Sequence, residues 1–144
     1  MITETPFARL FLGGKRDATR LCIDNPLKIT FLINLSLEDF RQRPEGIRHE
    51  LFPLPDDEVV PPPALEGALA AIAHHIRGGR VLLCCDAGLS RSVALAALYL
   101  HVVGYASYED ALGGIALFRE VDVSPAMKRS VENYFELLAK EEQK

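Results

Sequence analysis

Val81-Leu-Leu-Cys-Cys-Asp-Ala-Gly-Leu-Ser-Arg-Ser-Val93 is the stretch that decides how this chain is read. An apolar run ends at Cys85, Gly88 sits in the turn, Ser90-Arg91-Ser92 follows, and an apolar helical pattern starts at once. That order predicts a buried strand, a tight loop and a helix. In open α/β sheets, ligands bind beyond the carboxyl ends of the strands, which is where this loop falls. Its amides from Asp86 to Arg91 can converge on one anion, helped by the helix N-terminus. The same field favours the thiolate of Cys85 near neutral pH. Arg91 offers a planar fork for two phosphate oxygens. Ser92 can donate a hydrogen bond to the sulfur. Together these residue types point to attack on a phosphate ester by sulfur. The bland alternative makes Cys84 and Cys85 inert strand residues and Arg91 a surface helix residue. An inert core has no need of Gly, Ser and Arg in this order.

Outward from the loop, the pattern predicts a small α/β domain. Ala8 to Leu12 reads as a short strand ending at Gly13-Gly14, and Lys15 to Cys22 as one or two helical turns. Ile29 to Asn34 is apolar on both faces, as in parallel sheets. Ile47 to Phe52 is a weaker strand. Leu65, Leu69, Ile72 and Ile76 share one helical face, led in by Pro61-Pro-Pro63 and closed by Gly78-Gly79. Arg80 to Cys84 is the next strand, and Arg91 to Val103 the next helix. Ser107-Tyr-Glu-Asp110 has capping-box spacing and opens another. Pro125 begins the last, with Met127, Val131, Tyr134 and Leu138 on its inner face. Strands alternate with helices and then helices follow alone. The expectation is a central, mostly parallel sheet of about four to five strands flanked by helices in three layers, as one domain over residues 1–144.

Cys85-Asp-Ala-Gly-Leu-Ser-Arg91-Ser92 resembles the phosphate-binding loop of the cysteine-dependent protein tyrosine phosphatases, in particular the small dual-specificity type. The resemblance runs from Leu12-Gly13-Gly14 to the final helix. It implies a phosphatase-like fold, with Cys85 as nucleophile and Arg91 as phosphate clamp. Asp86, Ala87, Gly88, Leu89 and Ser90 would form the cradle with Arg91, and Ser92 would assist departure of the sulfur. It further implies a cysteinyl-phosphate intermediate formed and hydrolysed with no metal and no cofactor. The family usually carries His immediately before the nucleophile; here that position is Cys84.

The leaving oxygen needs a proton and the attacking water must lose one, and a single carboxyl group can do both. The family places its general acid on a loop about 30 residues before the nucleophile. Leu51-Phe-Pro-Leu-Pro-Asp56-Asp57-Glu58 supplies candidates, with Asp56 lying 29 positions before Cys85. The resemblance favours Asp56, with Asp57 as alternate and Glu58 behind both. Taken alone, these carboxylates read as helix caps or loop solvation.

Composition narrows the partners. Apolar residues make up 49% and charged residues 25% of the 144, which marks a globular chain. The formal charge of -4 argues against a nucleic-acid binder and against docking on an anionic membrane. No apolar run approaches the roughly 20 residues of a membrane span. The N-terminal segment lacks the basic-then-apolar order of a signal peptide. The expectation is a cytoplasmic monomer acting on phosphorylated protein, its three cysteines reduced. The chain has no room for the long insertions that deepen the pocket in tyrosine-only members of the family, so the resemblance implies a shallow pocket open to phosphoserine and phosphothreonine as well as phosphotyrosine. Members of the family that act on inositol lipids tend to carry Lys or Arg at the variable loop positions; none is basic here, and by that resemblance Asp86 argues against inositol lipids. Two other functions fit the motif less fully. One is a phosphate-binding module without turnover, and the other a thiol redox protein using the Cys84-Cys85 pair. The histidines show no metal-ligand spacing. Arg41, Arg43 and Arg48 form a basic cluster that could rim the pocket, Asn34 could brace the loop, and Cys22 is expected in packing.

Overall fold

The computed structural model describes residues 1–7 and 9–143. Ala8, the first residue of the expected opening strand, lies outside the described residues. Five strands form one sheet: β1 (Thr3–Glu4), β2 (Leu10–Gly14), β3 (Phe31–Asn34), β4 (Arg48–Leu51) and β5 (Val81–Cys85), in the spatial order β1-β2-β5-β3-β4. Strands β2, β5, β3 and β4 run parallel, and only β1 is antiparallel. β1 escapes a sequence reading because two residues carry no alternation to detect. β2, β3 and β5 are buried at every position, as parallel strands covered on both faces must be. β4 is the polar edge, with Arg48, Glu50 and Leu51 exposed.

Helix α1 (Lys15–Arg20) covers one face, on Phe11, Leu32, Leu82 and Cys84. Helices α2 (Pro62–Ile76), α3 (Arg91–Val102), α4 (Tyr108–Ala116) and α5 (Pro125–Glu142) cover the other, on Leu10, Leu12, Ile33, Leu83 and Cys85. The three-layer α/β expectation holds. Alternation along β5 sends successive side chains to opposite faces, so Cys84 belongs to the α1 layer and Cys85 to the layer of four helices. Ser107 caps α4 by accepting the Asp110 amide at 3.1 Å, and Ser124 caps α5 by accepting the Met127 amide at 3.1 Å. The expected inner face of α5 is present, with Met127, Val131 and Tyr134 buried.

Two expectations change. Cys22 is exposed, not packed: α1 stops at Arg20, and Cys22 lies in the turn beyond it. The Arg41, Arg43 and Arg48 cluster is split. Arg48 pairs in register with Phe31, the first residue of β3, and so sits at the amino end of the sheet. Arg43 is engaged by Asp39. Arg41 alone lies near Lys15 and Arg16, along a groove beside α1.

Candidate active site

Central strand β5 delivers Cys85 to the carboxyl edge of the sheet. Its side chain is buried, with Sγ 3.3 Å from Ser92 Oγ in the first turn of α3. Cys84 faces the other way. Its Sγ points to the Ile33 carbonyl at 3.6 Å, and burial, with a smaller contribution from Cys85, pushes its thiol far above the ordinary range. Both cysteines are free.

The loop between β5 and α3 is held from outside by its carbonyl groups. The Lys15 amide donates to the Asp86 carbonyl at 3.0 Å, the Asp122 amide to Leu89 at 2.9 Å and the Ala94 amide to Ser90 at 2.8 Å. Arg119 donates through Nε to the Gly88 carbonyl at 2.7 Å and through Nη2 to Ala87 at 3.5 Å. Every carbonyl from Asp86 to Ser90 therefore points away from the loop interior to a donor, that of Ser90 along α3 to the Ala94 amide. None of the peptide bonds among the described residues is cis. In a trans peptide the N–H points opposite to the C=O, so the amides of Ala87 to Arg91 face the inner side of the loop. That is a nest for an anion, continued by the N-terminus of α3.

Gly88 makes this shape possible. Its φ is +74°, and a Cβ there would meet Arg119 Nη2 at 2.2 Å and the Gly13 carbonyl carbon at 2.8 Å. Gly14 supplies a second close approach, since a Cβ there would stand 3.0 Å from the Asp86 carbonyl oxygen.

Arg91 is 6% exposed, so it is no surface helix residue. Its Nη1 donates to the Leu54 carbonyl at 2.9 Å and its Nη2 to Asp86 Oδ2 at 3.0 Å. Its Nε is buried and has no partner among the described residues. A buried donor left unpaired costs about 1–3 kcal/mol. The guanidinium is thus braced at one end and unsatisfied at the other, as a group that holds a ligand would be.

The loop after β4 brings in Asp56. The Phe52 amide donates to Asn34 at 2.8 Å and Leu54 to Leu35 at 3.0 Å, and Leu54 and Val60 are both buried. The Val60 amide donates to Ser130 Oγ on α5 at 2.7 Å. Pinned at both ends, this loop sets Asp56 against the loop between β5 and α3, where Ser90 Oγ donates to Asp56 Oδ1 at 2.6 Å. Ser90 Oγ also accepts the Ser124 amide at 2.9 Å. Asp57 and Glu58 are exposed. Geometry therefore brings Asp56 into the site.

Several contributors have no local signature in the sequence. Arg119 is the main clasp on the loop, reaching also the Met1 carbonyl at 2.6 Å and Asp17 Oδ2 at 3.9 Å. Burial tends to raise the Asp17 carboxyl. The Met1 amino group, the Gly14 amide at 2.8 Å and Arg119 outweigh that and hold it below its usual range. Lys15 Nζ stands 3.7 Å from Asp86 Oδ1. Asn34 does not brace the loop directly. It accepts from the Ser36 amide and hydroxyl and donates to the Glu38 carbonyl, fixing the turn after β3. Among the described residues no group of three or more His, Cys, Asp or Glu side chains is placed to hold a metal. Nor is any helix long and apolar enough to cross a membrane.

No family model and no curated protein matches the chain in sequence. Solved structures do match. Human DUSP28 superposes with a TM-score of 0.82 at 25% identity, over 98% of this chain and 99% of that one. DUSP15 gives 0.78 at 24%, covering 92% and 86%. A human tyrosine phosphatase-like serine/threonine/tyrosine-interacting protein gives 0.72 at 22%, covering 90% and 93%. The likeness spans nearly the whole chain and gives this protein the fold of the dual-specificity phosphatases.

Proposed function

We propose that the protein hydrolyses phosphate monoesters, phosphotyrosine and also phosphoserine and phosphothreonine in proteins, through a phosphate carried on Cys85. The observation that carries this reading is the buried, half-satisfied guanidinium of Arg91 at the end of a loop whose carbonyls all face outward. Cys85 Sγ attacks phosphorus, the phosphorus–oxygen ester bond breaks, and its electron pair leaves on the substrate oxygen. Asp56 supplies the proton to that oxygen. Its Oδ1 is held by Ser90, which leaves Oδ2 to carry the proton. Water then attacks the cysteinyl-phosphate and gives a proton to Asp56. The sulfur–phosphorus bond breaks and its electron pair returns to Sγ, which Ser92 Oγ stabilises by a hydrogen bond. Inward amides and Arg91 meet the charge on the phosphoryl oxygens throughout. This chemistry uses no metal or cofactor.

Phosphate release from para-nitrophenyl phosphate and from phosphopeptides tests the proposal. Turnover that vanishes in Cys85→Ser supports it; turnover that persists in that variant overturns it. The acidic balance of the chain favours phosphorylated protein over nucleic acid as substrate. A sulfur nucleophile needs a reducing setting, which favours the cytoplasm, and every step here is completed by one chain acting as a monomer.

One observation favours a second reading, a phosphate-binding module with little turnover. The carboxylate of Asp86 already occupies Arg91. Binding of inorganic phosphate without hydrolysis of any ester would select it. The thiol redox reading loses its physical basis. Cys84 and Cys85 face opposite sides of the sheet, and burial keeps the Cys84 thiol protonated.

A further inference from the structure

The fork of Arg91 is contested from within the loop it serves. Nε and Nη2 lie along one edge of the guanidinium, the edge that can grip two oxygens of one phosphate. Nε is buried and unpartnered, whereas Nη2 is held by Asp86 Oδ2 at 3.0 Å. Arg91 is fixed, since its Nη1 is tied to the Leu54 carbonyl and its side chain is 7% exposed. Asp86 is the mobile partner, with a side chain 63% exposed. Its other oxygen stands 3.7 Å from Lys15 Nζ, and Lys15 is itself a third exposed. The carboxylate therefore has two cations in reach, one inside the site and one on its rim.

Resting on the phosphatase reading, we propose that Asp86 is a specificity-determining residue that competes with the substrate phosphate for Arg91 and moves onto Lys15 when a phosphate binds. Full two-bond capture of a phosphate requires Asp86 to leave Nη2. Once displaced, its negative charge stays at the mouth of the site. That charge repels an ester that brings a second anion close to the first. The site is thereby fitted to single phosphate esters in neutral or basic surroundings, and a vicinally doubly phosphorylated chain is disfavoured. Lys15 lowers the cost of opening by receiving the displaced carboxylate.

Direct binding of inorganic phosphate and of tungstate, measured by calorimetry on the intact protein, tests this independently of turnover. Asp86→Asn keeps the shape and removes the charge, and it is expected to bind both anions about fivefold more tightly. Lys15→Met is expected to weaken binding in the wild-type background and to have little effect in the Asp86→Asn background, because its partner is then neutral. Equal or weaker anion binding in Asp86→Asn, with an unchanged melting temperature, overturns the competition. So does a Lys15→Met loss of the same size in both backgrounds, which would make Lys15 a direct phosphate contact. In turnover, Asp86→Asn should lower KM more than it changes kcat, and should narrow the preference for singly over vicinally doubly phosphorylated peptides. An unchanged preference removes the assignment of substrate class. If wild type and Asp86→Asn both fail to bind any anion, the phosphatase reading falls with it. If both bind equally and hydrolyse esters, the phosphatase reading stands and only the role of Asp86 is lost.

Discussion

The two ends of the same sheet carry similar residues and put them to opposite use. At the amino end, His75 stacks on Phe31 with ring centroids 3.4 Å apart and meets Glu50 at 3.2 Å, while Arg48 lies over the Phe31 ring. Each of these groups has found a partner within the fold. At the carboxyl end, Arg91 keeps a buried Nε without one, five amides face inward, and Asp86 projects to solvent. A basic residue, a carboxylate and a ring or thiol do not by themselves make a site. Unspent hydrogen-bonding capacity in a rigid frame does, and strand ends that open onto a helix N-terminus provide the frame.

If that contrast is sound, the largest effect belongs to Arg91. Arg91→Lys keeps the charge but loses the planar fork and the tie to Leu54, and kcat/KM should fall on the order of a thousandfold. A loss below tenfold would mean that the fork is not used. Asp56→Ala should cost on the order of a hundredfold with alkyl or peptide esters, and much less with para-nitrophenyl phosphate, whose leaving group needs no proton. The reverse result, with Asp57→Ala dependent on the leaving group and Asp56→Ala not, would move the acid by one residue.

Gly88→Ala probes the frame without touching a reacting group. Its positive φ alone should cost about 1–3 kcal/mol, and the collision with Arg119 should open the loop. Weakened anion binding with a lower melting temperature is expected, and native anion affinity would show that the outward clasp is dispensable. Asp17→Asn is expected to cost about 1–2 kcal/mol at neutral pH, by loosening the Gly14 and Arg119 contacts. The folded-state carboxyl is held below its unfolded value, so its contribution is present above about pH 4 and is lost as pH falls through the native pKa. Thermal melts from pH 7 to pH 3 should converge for the two proteins at the acid end; parallel curves would contradict the assignment. Smallest of all, His75→Ala at the satisfied end should lower stability by about 1 kcal/mol and leave kcat/KM unchanged. An activity loss there would break the contrast between the two ends.

Legibility followed the range of the interactions. The inner parallel strands β2, β3 and β5 were readable because burial on both faces leaves an apolar run, and α5 because its inner residues recur at helical spacing. The cluster of Cys85, Gly88, Arg91 and Ser92 was readable because a tight turn from strand to helix fixes residue types within a few positions. The misjudged position of Cys22 shows the limit. A cysteine in a short helical pattern looks like packing, but α1 ends two residues earlier. The preference for Asp56 over Asp57 came from family spacing, and the contact of Asp56 with Ser90 could not be read from the sequence because it joins positions 34 residues apart.

The sequence by itself determined the strand–loop–helix unit, the placing of a sulfur, a guanidinium and an amide nest within it, and the α/β class, because each is set by neighbours along the chain. Only the tertiary structure decided which layer of helices each of Cys84 and Cys85 meets. It also decided that Arg119 clasps the loop from 31 positions beyond Gly88, and that Asp86 and Lys15 meet beside Arg91. The Arg119 and Lys15 contacts join segments distant in the chain, and their geometry is fixed by how the sheet and helices pack.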